Sequence, residues 1–531
     1  MKEFNTTAIC VPSKHYMVDI SETVNEISQY VNEGKYLTIN RGRQYGKTTT
    51  LTALARYLQN KYLVLSLDFQ DIEAGNFVNG GEFSKALSRI ILDLADFENL
   101  VLPISIKQSF EELALRPSDE VKMDELFRIF RRWFNEEKRP IVLIIDEVDS
   151  ATNNQVFLDF LAQLRSLYIK KEKNPDIKTF QSVILAGVTD VRYLKSKIRD
   201  DAQHKVNSPW NIAADFDMDM SLSEQGIKQM LDEYEADHGT GMDTGAIAKE
   251  IREYTNGYPF LVSRLCQLLD KNVGQSLGSN AAAWTSRGID EAVKLLLSED
   301  NTLFKSLIGK LQNYSDLKAS LRSILMEGAR LTYNVQNEAI AQLEMYGFIR
   351  NDHNVVRVSN RIFETLLYNM FLSDEEISDN VFSREGQLER NHFVTDGKLN
   401  MRLIMDRFIV TYTQIMGPLQ DKFKEKDGRE LFLLYIKPII NGTGNYYIEA
   451  QTRDQTRTDI IIDYLGQQYI IELKIWRGER YNADGEKQIS EYLDYFGLQT
   501  GYMLSFNFNK NKEQGVKRVE VGDKVLFEGT V

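Results

Sequence analysis

Two stretches of the chain hold residue types suited to phosphate chemistry. The first is TINRGRQYGKTTTLTAL, Thr38 to Leu54. Its Gly46-Lys47-Thr48 supplies backbone N–H groups at a helix N-terminus, a lysine that can reach β and γ phosphate oxygens, and a hydroxyl for Mg²⁺. In the usual spacing an opening glycine stands at position 41, where this chain has Arg41 followed by Gly42. Gly42 offers a nearby position for φ > 0, so the turn out of the preceding strand can still form. Gly42, Gly46, Lys47, Thr48 and Thr49 are therefore candidate contacts to ATP. The second stretch is TRTDIIIDYLGQQYIIELKIWRG, Thr456 to Gly478. Asp459 and Glu472 are hard oxygen donors suited to Mg²⁺ or Mn²⁺, and Lys474 can polarise water or steady the charge of a phosphoryl transition state.

These groups act only if strands and helices bring them together. Tyr36-Leu37-Thr38-Ile39 reads as a strand, and Leu51, Leu54, Ala55 and Leu58 recur at helical spacing, so the order is strand, loop, helix. About a hundred residues on, KRPIVLIIDEVDS carries an apolar strand, Ile141 to Ile145, that ends in Asp146-Glu147. Ligands of open α/β sheets gather at the carboxyl ends of strands. Asp146 is placed to hold Mg²⁺ through its water shell and Glu147 to orient or deprotonate the attacking water; a capping role for the pair is the plain alternative. A third apolar run, Ser182 to Val188, ends in Thr189 and Asp190, which suit either a γ-phosphate sensor or a strand-end cap. In the second stretch a two-residue turn at Gly466-Gln467 would set Asp459 opposite Lys474, with Glu472 diagonal on the same face. A surface hairpin with a salt bridge is the alternative there.

Bulk properties set the frame. At 531 residues the chain has room for about three to four domains. With 43% apolar and 27% charged residues and nine prolines it has a globular composition. No apolar run reaches the roughly eighteen residues of a membrane span, and Met1-Lys2-Glu3 starts no secretory signal, so a cytoplasmic protein with no membrane partner is expected. A net charge of −13 argues against a surface that binds nucleic acid everywhere, though not against a local basic groove. Cys10 and Cys266 stand in no metal-ligand spacing and read as reduced structural thiols.

FNTTAICVPSKHYMVDI, GRQYGKT, LIIDEVD, LAGVTDVRYL and YTNGYPFLVSRLCQLL resemble the AAA-like ATPases related to the STAND class of signalling NTPases, over about the first 290 residues. The resemblance implies an α/β fold: a P-loop NTPase with a parallel sheet, then a helical lid whose Gly257-Tyr258-Pro259 brings Pro259 near the nucleotide. By physics alone Gly257 can be a turn and Pro259 the first helical residue, and the two readings are compatible. Lys195, Lys197 and Arg199 form either a solvated helix face or a source of an arginine for a neighbouring subunit's phosphate, which would make a homo-oligomer through the ATPase module. Past Leu296 the pattern of short helices and a two-strand turn at Asn351 to Asn354 resembles a winged-helix module. Its stretch Val335 to Met345 holds Glu338 and Glu344 and no lysine or arginine, which favours packing between domains over DNA.

The pattern Asp459, twelve residues, Glu472-x-Lys474 resembles the PD-(D/E)XK nuclease superfamily, and GEKQISEYLDYFG adds Gln488 and Tyr492. Thr458 stands where the signature has proline. The resemblance implies a C-terminal α/β restriction-endonuclease-like domain, a metal-dependent nuclease acting on nucleic acid, DNA first, with Glu430 as an optional third acid beside Asp459 and Glu472. Lys510 and Lys512 are either contacts to the nucleic-acid backbone or part of a solvated loop. The expected layout is an ATPase core over 1–210, a lid over 211–295, a winged-helix-like module over 296–375, a linker over 376–395 and the nuclease-like domain over 396–531. Two functions stay open. In one, ATP gates an active Mg²⁺-dependent nuclease in defence or mobile-element control; in the other, the chain is a nucleotide switch or scaffold whose nuclease-like domain only binds.

Overall fold

A strand covered on both faces needs apolar side chains along its length, and Ile141 to Ile145 meet that demand, with all six residues of Ile141–Asp146 buried and only the last, Asp146, charged. The computed structural model describes the chain apart from residues 1, 98–99, 153, 189–209, 215–218, 326–328, 330, 378–380, 396, 417–422, 424, 441–443, 452–456, 477 and 510–511. The side chains of 374–377, 387–391, 425–426, 445, 447–451, 457–459, 479–484 and 495 also lie outside the described set. Two compact units result: Met1–Met230 with Tyr258–Ser263 and Gln342–Gly347, and Leu231–Gly257 with Arg264–Ala341 and Phe348–Val531.

The first unit is built on strands β1 (Leu37–Asn40), β2 (Leu63–Asp68), β3 (Ile141–Asp146) and β4 (Ser182–Gly187). They pair in the order β1-β4-β3-β2, all parallel. Alternation of side chains splits the sheet into two cores. Leu37, Ile39, Val142, Ile144, Ile184 and Ala186 pack under Val24, Ile27 and Val31 of α1 (Ser21–Asn32) and Leu51, Leu54 and Leu58 of α2 (Lys47–Leu58). Leu65, Leu143, Ile145, Val183 and Leu185 face the other way, toward an aromatic core from α3 (Gly80–Phe97), α4 (Ile104–Leu115), α5 (Met123–Glu136) and α6 (Gln155–Lys173). There Phe83 and Phe160 meet edge to face at 5.2 Å. The result is the expected α/β sandwich, with β1 and β3 delivering loop and acids to the same end of the sheet.

In the second unit, Asp243 caps helix α7 (Thr244–Thr255) by accepting from Gly245 N and Ala246 N. Helix α8 (Pro259–Leu268) follows in the chain. Further on, α9 (Thr302–Asn313), α10 (Ser315–Leu325) and α11 (Glu338–Met345) precede an antiparallel hairpin, β5 (Ile349–Asp352) with β6 (Val355–Val358), and then α12 (Arg361–Ile377). His353 and Asn354 close the hairpin with φ of 50° and 65°. The element order is the one the sequence suggests for this stretch. No helix among the described residues is long and apolar enough to cross a membrane.

The C-terminal sheet holds β7 (Gly444–Gln451), β8 (Arg457–Tyr464), β9 (Gln467–Ile475), β10 (Thr500–Phe506), β11 (Gly515–Val521) and β12 (Lys524–Thr530), in the order β7-β8-β9-β10-β12-β11. One face lies under α15 (Glu479–Phe496), where Ile470, Ile489, Tyr492, Leu493 and Leu526 form a core. The other face carries α13 (Met401–Met416) and α14 (Glu425–Ile440): Met405 and Ile409 lie at Gly529, and Phe506 lies against Gly428.

The β8–β9 turn corrects the sequence expectation. The loop is Leu465-Gly466, with φ of 51° and 77°, and Tyr464 pairs with Gln467. Two successive left-handed residues give a turn whose twist matches that of the strands. The ladder runs from Tyr464↔Gln467 to Ile460↔Ile471. One further step in that register sets the backbone of Asp459 across from Glu472 rather than Lys474. The slip spans two residues, so the shared face is kept.

Leu465→Asn puts a residue that tolerates the left-handed region into an exposed turn position, and is expected to stabilise the C-terminal domain by about 0.5–1 kcal/mol. The urea midpoint measures it; a loss of stability instead would place residue 465 in a strand and restore the other turn.

Candidate functional site

Residues 41–46 link β1 to α2, and the path of this loop is set by what its lysine needs. Lys47 is 5% exposed, and its Nζ donates to the carbonyls of Arg41 and Gly42, each at 3.0 Å. Burial lowers the pKa of the ammonium, while the charges of Glu147, Asp146 and Asp149 oppose that shift. Gln44 and Gly46 take the left-handed turns, at φ of 55° and 81°. Gly42 does not, which corrects the reason for a glycine there. A Cβ on Gly42 would lie 3.3 Å from the Tyr258 hydroxyl and 3.5 Å from the Tyr346 carbonyl, so close approach is what the position demands.

The acids sit where the strand tip was expected to carry them. Thr48 Oγ1 donates to Asp146 Oδ2 at 2.6 Å, and Glu147 N donates to Asp146 Oδ1 at 2.9 Å. Asp146 is 6% exposed, and burial raises its pKa against the lowering effect of the Thr48 bond. Burial also raises Glu147, with the nearby Lys47 charge opposing. Glu147 has φ of 51°, a left-handed backbone unusual for a residue with a side chain. Lys47, Thr48, Asp146 and Glu147 thus come together at one end of the sheet.

Other candidates fall differently. Thr49 Oγ1 accepts from Cys10 N at 3.2 Å, so this hydroxyl holds the N-terminal segment. Pro259 opens α8 as proline at a first helical position does, and its Cγ lies 4.0 Å from where a Cβ on Gly46 would stand. Thr189, Asp190, Lys195, Lys197 and Arg199 lie outside the described residues.

Sequence reasoning passed over Tyr258, whose buried hydroxyl donates to the Arg43 carbonyl and whose ring meets Tyr45 edge-on at 4.7 Å. The only signal was its place between Gly257 and Pro259. It also passed over Asp68, which pairs in register with Asp146 at the neighbouring strand tip, and Asp149 in the DEVDS run.

In the C-terminal sheet, Glu472 is 1% exposed and its Oε1 lies 2.8 Å from Lys474 Nζ. Period two sets both on the face under α15. Gly485 leaves room there: a Cβ would meet Met503 Sδ at 3.3 Å and Lys474 Cε at 3.5 Å. Lys474 Nζ donates on to Gln488 Oε1 at 3.3 Å, and Gln488 Nε2 donates to Tyr492 OH at 2.8 Å. Glu472, Lys474, Gln488 and Tyr492 form one connected line. Asp459 joins their face by register alone, since its side chain is outside the described set.

Glu430 is placed elsewhere. Its Oε1 takes Arg322 Nη2 at 3.1 Å, and its helix α14 covers the opposite face of the sheet from Glu472 and Lys474. Lys512 donates to the carbonyls of Asn507 and Val531, at 2.5 and 2.8 Å, so it braces the end of the chain. Among the described residues no three acids, histidines or cysteines cluster as metal ligands, a set that excludes the Asp459 carboxyl.

Comparison with known proteins matches two separate stretches of the chain. The model of the AAA-like domain matches residues 5–370, and that of the PD-(D/E)XK nuclease superfamily matches 445–519, which spans Asp459, Glu472, Lys474, Gln488 and Tyr492 but not Glu430. Among solved structures, the chain is similar to a Walker-type ATPase of Pyrococcus abyssi, at 12% identity over 69% of this chain and 99% of that one, with a TM-score of 0.46. Cdc6p from Pyrobaculum aerophilum aligns at 13% identity over 70% and 97%, TM-score 0.33. The RuvB Holliday junction branch migration motor of Thermotoga maritima aligns at 13% over 64% and 92%, TM-score 0.30. No curated protein matches the chain. With a family match over more than half its length and the loop and acid pair at one sheet end, the chain belongs to the AAA-like domain family and carries a C-terminal PD-(D/E)XK nuclease superfamily domain.

Proposed function

We propose that this protein binds and hydrolyses ATP at the tip of its parallel sheet, and that the nucleotide state governs cleavage of DNA by the C-terminal domain. The observation that carries the reading is the 2.6 Å bond from Thr48 Oγ1 to Asp146 Oδ2, which joins the loop helix to the acidic strand tip. Lys47 neutralises β and γ phosphate oxygens once it leaves the loop carbonyls, and the N–H groups at the start of α2 receive the rest of the phosphate charge. Glu147 orients water and takes its proton; its burial favours a base of raised pKa. Thr48 and Asp146 are hard oxygen donors and would hold Mg²⁺, whose charge, when bound, offsets that of the phosphates.

In the C-terminal domain, Glu472 and Asp459 would hold the divalent ion against the scissile phosphate. Lys474 steadies the charge that develops at phosphorus, and Gln488 fixes its ammonium. A nuclease kept silent until a nucleotide signal arrives suits defence or control of mobile elements. A chain that hydrolyses ATP but cuts no nucleic acid under any nucleotide would instead be a switch with a binding-only C-terminal domain.

Lys47→Ala is expected to lower ATP hydrolysis at least about a hundredfold, and Glu147→Gln to lower kcat by about 10²–10⁴ while nucleotide binding persists. Phosphate release and equilibrium binding measure the two effects; a Lys47→Ala protein as active as the parent refutes the assignment. Glu472→Ala and Lys474→Ala are each expected to abolish Mg²⁺-dependent cutting of plasmid DNA while leaving ATP hydrolysis within about twofold. Gel assays with and without ATP read the cutting, and residual cleavage by both variants sets the nuclease site elsewhere.

A further inference from the structure

The turn after β3 holds a further carboxylate, that of Asp149, beside the candidate base Glu147. We propose that Asp149 is a positioning residue for Glu147, acting by locking the turn that carries Glu147 to the end of β4; the inference rests on the ATP-hydrolysis reading. Asp149 Oδ2 accepts the backbone N–H of Val188 at 2.6 Å, one residue past β4. On the other flank, Ser150 Oγ donates to the carbonyl of Phe69, one residue past β2, at 3.0 Å, and to the Glu147 carbonyl at 3.1 Å. In the order β4-β3-β2 the turn is therefore tied to the ends of both neighbouring strands.

Gly187 makes the first tie possible. A Cβ there would stand 3.0 Å from Asp149 Oδ2 and 2.9 Å from Val148 Cγ2, so any larger residue pushes the turn and the strand end apart. Glu147 needs such ties because its φ of 51° lies where side-chain-bearing residues persist only when their surroundings over-determine them. A base that orients water tolerates little displacement; about 1 Å of misplacement can cost on the order of a hundredfold in rate. The Asp149 charge also acts on Lys47, so the hydrogen bond and the charge have to be separated by experiment.

Asparagine does so, since its amide oxygen accepts the same N–H without the charge. Steady-state ATP hydrolysis and equilibrium binding of a fluorescent ATP analogue are measured on the full chain and on Asp149→Ala, Asp149→Asn and Gly187→Ala, with Lys47→Ala as reference. Asp149→Ala is expected to lower kcat by about 10–100-fold with KM and analogue affinity within about threefold, and Asp149→Asn to recover kcat to within about fivefold. Gly187→Ala should reproduce the kcat loss by pushing the same contact apart. A parental kcat in Asp149→Ala, or an Asp149→Asn as impaired as Asp149→Ala, overturns the positioning role while an inactive Lys47→Ala leaves the ATPase reading intact. Should Asp149→Ala fail to fold, a kcat loss in Gly187→Ala beside an active Asp149→Asn supports the role, and an unchanged kcat in Gly187→Ala overturns it. A parent chain that hydrolyses no ATP overturns both readings.

Discussion

An ammonium taken out of water must be met by oxygen atoms or lose its charge, and Lys47 is placed under that constraint. With 5% of its surface exposed, it rests on the carbonyls of Arg41 and Gly42 and in the field of Glu147, Asp146 and Asp149. The loop curls round the lysine through left-handed turns at Gln44 and Gly46. Asp146 faces the converse problem, and Thr48 Oγ1 and Glu147 N supply the donors its buried carboxylate requires. Loop and strand tip therefore solve each other's desolvation. The parallel register that sets β1 beside β4 and β4 beside β3 is what allows them to meet.

The same constraint acts in the C-terminal sheet, where Glu472 is still more deeply buried and Lys474 is its counter-ion. Removing one member of such a pair costs about 3–5 kcal/mol, because the other charge is left behind in low dielectric. A buried ion pair is nevertheless no site by itself. Lys524 is 5% exposed and pairs at 2.9 Å with an exposed Asp494, yet it opens β12, where the register of the edge strand β11 sets Val521 and no acid across from it. Glu472 and Lys474 differ in having Asp459 brought to their face and Gln488 directed at the ammonium.

What could be read from residue types and spacing was the part governed by local patterns. The run from Ile141 to Ile145 is apolar because both faces are covered, so its tip and the acids that follow were legible. The face shared by Asp459, Glu472 and Lys474 was legible as well, because side-chain alternation survives a slip of two residues. The partner across the hairpin was not. It depends on whether Leu465 accepts a left-handed φ, a balance of backbone energies that the letters LGQ leave undecided. Gly42 and Tyr258 were illegible for another reason: each answers to a contact between residues more than two hundred positions apart. Glu430 has the right chemistry for a third acid, but its helix packs on the opposite face, and helix placement round a sheet is a tertiary property.

Three consecutive carbonyls of the loop are engaged by donors of the chain itself: those of Arg41 and Gly42 by Lys47, and that of Arg43 by Tyr258. A phosphate that recruits the ammonium offers charge-assisted bonds, which are stronger than those to neutral carbonyls. The carbonyls of Arg41 and Gly42 would then lose their donor, while the Tyr258 bond to Arg43 involves neither the ammonium nor the phosphate. On the proposed ATP site the loop would have a second hydrogen-bonded arrangement, differing from the one in the structure by the position of one ammonium, beside the residue to which Tyr258 is bonded. A ligand shifts an equilibrium only by its differential affinity for the two states, and on the proposed site that difference would reside in the oxygen atoms competing for Lys47.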